Sequence, residues 1–168
     1  MSAVNRGKKF EDVVRACLEK SGAYVLRLYD PQGGYVAVAN PCDFVVWKDG
    51  QMYMLECKAI HGNLLSIHSN DPKRKYGLIS NTQWQGLSEA LEKSVVAGVL
   101  VWWIDKDITK FIPIDDLIAK RWAGDKSVRY DYPVGYEIAG TKKRVFFDYD
   151  FTDFFRDCGG LKTFLQKS

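Results

Sequence analysis

Cys42-Asp43-Phe44-Val45-Val46-Trp47-Lys48-Asp49-Gly50-Gln51-Met52-Tyr53-Met54-Leu55-Glu56-Cys57-Lys58 is the stretch from which the fold is read. Two apolar, strand-like runs flank Asp49-Gly50, a dipeptide suited to a two-residue type I′ hairpin turn. That loop makes Lys48 the partner of Gln51, and the ladder continues through Val46 with Tyr53 and Phe44 with Leu55 to Asp43 with Glu56. Directly opposed residues project to one face with Cβ atoms roughly 4.5–5.5 Å apart. Lys58, two residues beyond Glu56, shares their face, while Phe44, Val46, Tyr53, Leu55 and Cys57 form an apolar surface on the other.

Upstream, Asn5 is a plausible N-cap, and Phe10, Val13, Val14, Cys17 and Leu18 recur at helical spacing until Gly22 ends the run. Ala23 to Tyr29 reads as a strand, Asp30 to Gly34 as a turn and Tyr35 to Ala39 as a short strand. Downstream, His61 to Tyr76 is polar and irregular and is expected to be a long loop, a class of segment that is often functional. Asn81 is expected to cap a helix carrying Trp84, Leu87, Ser88 and Leu91. Ala97 to Ile104 is a continuous apolar run suited to a buried strand, and Ile108 to Ile112 is a further strand. Pro113 suits the start of a helix reaching Trp122, a hairpin is expected around Gly140, and aromatic-rich helical turns end at Leu161 to Gln166. Helix, several strands, helix and strand, with no repeat and no boundary, predict one mixed α/β domain over residues 1–168.

The chain has 168 residues, 46% of them hydrophobic and 14% aromatic, which is a globular rather than a disordered composition. No apolar run approaches the roughly 18 residues that cross a bilayer. The start lacks an apolar signal region, so a cytoplasmic location with no membrane partner is the expectation. Cys17, Cys42, Cys57 and Cys158 lack zinc-type spacing, so free thiols are expected, with Cys17 and Cys57 as small core residues. A net charge of +3 is only mildly basic. Its clustering says more: Arg6, Lys8 and Lys9, then Lys73, Arg74 and Lys75, then Lys142, Lys143 and Arg144. Each cluster suits phosphate contact, and each equally suits an ordinary solvated surface. Trp84, Trp102, Trp103 and Tyr76 are read as core before stacking platforms for bases. His61 and His68 are read as polar loop residues or phosphate contacts before general bases.

Two opposed carboxylates on a sheet repel, and a divalent cation relieves that repulsion. Mg²⁺ is typically held by one or two carboxylates together with waters and phosphate oxygens. An adjacent lysine can orient or deprotonate an attacking water, or stabilise the developing negative charge. Asp43, Glu56 and Lys58 thus make a set suited to hydrolysis of phosphodiesters. Glu11 lies beside Leu18 at the margin of the first helix's apolar stripe, from which a carboxylate can reach the sheet, whereas Asp12 points away.

Asn5-Arg6-Gly7 with Phe10-Glu11, then Cys42-Asp43-Phe44, Glu56-Cys57-Lys58 and Gln83, together resemble the PD-(D/E)XK nuclease superfamily. Within it the chain is similar to the RecU-type Holliday-junction resolvases. The resemblance covers roughly residues 5 to 104, and residues 105–168 rest on nothing in it. It implies a restriction-endonuclease-like αβββαβ core, Mg²⁺ (or Mn²⁺ as substitute), and a homodimer acting on four-way DNA junctions by paired nicks. It makes Glu11, Asp43 and Glu56 metal ligands, with the Cys57 backbone carbonyl as an additional one. Lys58 becomes the water-activating or charge-stabilising group, and Gln83 a helical glutamine near the site. Lys73, Arg74 and Lys75, with Arg6, Lys8 and Lys9, are the expected DNA-backbone contacts. Family members carry a long stalk where this chain has only Asp30 to Asn40, and often a threonine where it has Ala59. Other readings are a restriction-type, nicking or flap nuclease on the same scaffold, or a DNA-binding module that does not cleave.

Overall fold

The structure is a computed structural model and describes residues 5–29, 39–67 and 78–159. Its elements run α1 (Arg6–Lys20), β1 (Tyr24–Arg27), β2 (Phe44–Lys48), β3 (Gln51–Ile60), β4 (Leu64–Ser66), α2 (Asn81–Glu92) and β5 (Val96–Trp103). Then follow β6 (Ile108–Pro113), α3 (Ile114–Trp122), β7 (Ser127–Arg129), β8 (Tyr136–Glu137), β9 (Ala139–Lys142), β10 (Phe147–Asp150) and α4 (Thr152–Gly159). The central sheet is mixed, in the order β1-β2-β3-β5-β6-β8. β3 and β5 are parallel and joined through α2; the other neighbours in the sheet are antiparallel. Strands from beyond residue 104 therefore complete the sheet.

The hairpin at the centre follows from its turn. Asp49 has φ 49° and Gly50 φ 77°, the two positive values a type I′ turn requires, and Lys48 pairs with Gln51. Val46 then pairs with Tyr53 and Phe44 with Leu55, as the ladder predicts. One face of the sheet carries Phe44, Val46, Tyr53, Leu55 and Cys57 against Phe10, Val14, Cys17 and Leu18 of α1 and Phe154 and Phe155 of α4. On the opposite face Ile60, Val99, Val101 and Trp103 pack with Leu87 of α2 and Leu117 of α3. β5 lies between these layers, which explains its unbroken apolar sequence. Trp102 and Trp103 are fully buried core residues, and Trp84 is partly buried beneath the Arg121 guanidinium. All four cysteines are buried free thiols. Among the described residues no helix is long and apolar enough to cross a membrane.

Three local expectations are corrected. The segment after β3 is not all loop: Leu64–Ser66 forms β4, paired with β7 more than sixty positions on, a contact that no local pattern announces. Ser80, not Asn81, caps α2, because its side chain accepts from the Gln83 amide. The late hairpin is present, but it turns at residues 143–146, while Gly140 sits inside β9 opposite Tyr149, where the missing side chain leaves room for the ring. The turn and strand expected over Asp30 to Ala39 lie essentially outside the described residues, and so do Leu161 to Gln166.

Candidate active site

Glu56 is the centre of the polar cluster. It lies in β3 on the α2 side of the sheet with 2% of its surface exposed. A buried carboxylate is costly unless partnered. Its Oε1 accepts from Lys58 Nζ at 2.5 Å and from Gln83 Nε2 at 2.7 Å. Its Oε2 is buried and has no hydrogen-bond partner among the described residues. Burial, followed by the nearby Asp43 charge, pushes the Glu56 carboxyl up to about 8, against the opposing pull of Lys58.

Gln83 reaches Glu56 because of how α2 begins. The helix opens with a capping box: Ser80 Oγ accepts from the Gln83 amide at 3.2 Å, and Gln83 Oε1 accepts from the Ser80 amide at 2.9 Å. With the amide oxygen so engaged, the NH₂ end is the one directed at Glu56. Gly86 sets how near the helix lies. A Cβ there would collide with Pro41 Cβ and stand 3.2 Å from Pro41 Cα, so α2 rests directly on the segment that leads into Asp43.

Asp43 stands where the β2–β3 ladder stops, and here the expected geometry is corrected. The last regular pair is Phe44 with Leu55, and the Asp43 amide donates to the Leu55 carbonyl at 3.1 Å, one step off the ladder. Asp43 therefore does not simply oppose Glu56. Its Oδ2 accepts from the Cys57 amide at 2.7 Å, replacing the strand carbonyl that β2 no longer supplies. The carbonyl of Asp43 accepts from the Leu28 amide at 2.8 Å, tying the residue to β1 as well.

Glu11 comes to the same region from α1, but its carboxylate is directed at Arg27. Arg27 Nη2 donates to Glu11 Oε2 at 2.5 Å and Nη1 donates to Asp12 Oδ1 at 2.6 Å. The Glu11 carboxyl is raised above its ordinary value by burial and then by the Asp43 charge, while Arg27 lowers it. Among the described residues, no three Asp, Glu, His or Cys side chains are grouped closely enough to hold one ion. The structure thus gathers Asp43, Cys57, Glu56, Lys58 and Gln83, and holds Glu11 beside them on an arginine.

Of the expected DNA contacts, Arg6, Lys8 and Lys9 lie on the first turn of α1, the helix that carries Glu11, and all three are exposed. Lys73, Arg74 and Lys75 lie outside the described residues, as do His68 and Tyr76. His61 is exposed and its Nδ1 lies 3.0 Å from Asp105 Oδ1, at the far end of β3. Arg27, Ser80 and Gly86 join the site without having been expected there. Arg27 does carry a signal, because it alternates with Val25 on the apolar, α1-facing side of β1.

No protein-family model matches this sequence, and no curated protein matches it. Among solved structures, the chain is similar to Hjc from Archaeoglobus fulgidus, a Holliday junction resolvase from an archaeal hyperthermophile, with a TM-score of 0.54 and 20% identity, covering 78% of this chain and 95% of that one. A second likeness, to the bacterial homing endonuclease I-Ssp6803I, has a TM-score of 0.43 and 14% identity over 98% of this chain and 99% of that one, and carries no argument. The mixed sheet flanked by helices, shared with Hjc, is a restriction-endonuclease-like fold.

Proposed function

We propose that the chain is a metal-dependent endonuclease that hydrolyses DNA phosphodiester bonds, and that its substrate is the four-way junction. The observation that carries this reading is the Glu56 carboxylate: one oxygen is held by Lys58 and Gln83, and the other is buried without a partner among the described residues. An anionic oxygen left that way favours a hard cation beside it. We assign Mg²⁺, with Mn²⁺ as substitute, to Asp43, Glu56 and the Cys57 carbonyl. When bound, the ion would supply an activated water and neutralise the scissile phosphate.

Each residue then has a distinct task. Gln83 fixes the rotamer of Glu56, so that the second oxygen keeps one position. Asp43 is oriented by the Cys57 amide, which holds its carboxylate at the end of β2 as a ligand. Lys58, with 19% of its side chain exposed, can stabilise negative charge that develops on the phosphate. Arg6, Lys8 and Lys9 supply phosphate contacts on the helix that carries Glu11. The junction as substrate is supported by the fold shared with Hjc, itself a Holliday junction resolvase. A junction offers two symmetric strands, so a homodimer is the matching assembly.

The test is cleavage of a synthetic four-way junction by the full chain in Mg²⁺. Paired symmetric nicks, with linear duplex spared at the same concentration, are expected. Equal cleavage of both substrates would remove the junction preference and leave a nuclease of another specificity. No cleavage of either would favour a DNA-binding module.

A further inference from the structure

Arg27 is a buried cation that the hydrolytic mechanism leaves without a task. Its side chain is 10% exposed, buried between α1 and β1, and it holds Glu11 and Asp12 with separate nitrogens at 2.5 Å and 2.6 Å. The guanidinium carbon lies 5.2 Å from the Tyr29 ring centroid and 6.0 Å from that of Phe44, so aromatic faces confine it further. Arg27 pairs with Phe44 across the β1–β2 ladder, immediately beside Asp43. A planar fork fixed at both nitrogens and backed by rings is not a side chain that swings away easily.

We propose that Arg27 is a built-in cation standing in for a second metal ion: by holding Glu11, it limits the site to one divalent ion, on Asp43 and Glu56. This inference rests on the metal-dependent reading and adds the number of ions to it. Charge balance points the same way. With Glu56 and Glu11 in the deprotonated form that metal binding requires, Glu11, Asp12, Asp43 and Glu56 face the two cations Arg27 and Lys58, which leaves two negative charges uncompensated, with Asp12 at the exposed margin. One divalent ion offsets that excess, whereas two would leave the region positive. Arg27 is thus a positioning residue that acts through Glu11.

The measurement is titration of the full chain with Mn²⁺ alone, counting bound ions from the electron paramagnetic resonance signal of the free ion. Wild type should bind one ion per chain. Arg27→Met, which frees Glu11, should bind two, and Arg27→Met combined with Glu11→Gln should return to one. Arg27→Gln, which keeps polar contacts without the charge, serves in the same role should Arg27→Met fail to fold. Two ions in wild type, one ion in the Arg27 variants, or two in the double variant would overturn the inference. No bound ion in wild type would instead overturn the metal-dependent reading itself.

Discussion

Gln83 Nε2 donates to Glu56 Oε1 at 2.7 Å, so one residue both completes the capping box of α2 and holds the buried carboxylate of β3. These two duties can be separated. Gln83→Glu keeps an acceptor for the Ser80 amide but removes the donor and adds charge beside Glu56. It should lower cleavage about 10–100-fold, the usual effect of losing a group that orients a ligand, while leaving the melting temperature little changed. Gln83→Ala should lose both, with about 0.5–1.5 kcal/mol less stability from the lost hydrogen bond to the Ser80 amide. Equal activity loss with no stability difference between the variants would argue against the double role.

Glu56 makes stability depend on pH in a definite direction. Its carboxyl titrates at about 8 in the fold against an ordinary value of 4.5. Between those values the folded chain binds more protons than the unfolded chain, so this group's contribution to stability falls as pH rises from about 4.5 to about 8. Melting curves in chelator should show Glu56→Gln gaining more over wild type at pH 8 than at pH 5. A gain that is the same at both values would contradict this.

Gly86 sets the seating of α2. Gly86→Val would drive a side chain into Pro41, which leaves no room for even a single added carbon. The expected cost is about 1–3 kcal/mol by chemical denaturation, with cleavage falling further than stability because Gln83 moves off Glu56. Unchanged activity in a destabilised variant would place the helix outside the chemistry.

Asp43→Asn and Lys58→Ala remove charge without removing the fold, since the asparagine side-chain carbonyl can still accept from the Cys57 amide. Both should abolish nicking and keep junction binding within a few-fold, read by gel shift beside the cleavage assay. Retained cleavage in either variant would refute its assignment.

The legible parts of this fold are those set by short-range chemistry. Asp49-Gly50 determines the hairpin because backbone handedness sets the register, and the register carries Glu56, Lys58 and the apolar face with it. The end of that ladder is harder to read. Whether Asp43 continues a strand or turns its carboxylate onto the Cys57 amide depends on where β2 starts, which β1 and α2 decide. Arg27 shows the same limit. Its place on β1 can be read from alternation, but its partners Glu11 and Asp12 come from a helix whose docking angle no local pattern expresses. β4 has no legible signal at all, since its partner β7 comes so much later in the chain.

β3 lies inside the sheet, paired with β2 as far as Leu55 and with β5 from Tyr53 to Ile60, and both of its faces are covered. Amides in such a position exchange with solvent only through large openings of the molecule, while chain ends and edge strands open far more often. Glu56 and Lys58, in register with Val99 and Val101 of β5, therefore belong to the slowest-exchanging class of backbone, whereas the Cys57 amide depends on the Asp43 side chain. Gentle warming that frays the periphery should leave their geometry untouched. Inactivation by heat should then track cooperative collapse of the whole domain rather than gradual softening of the site.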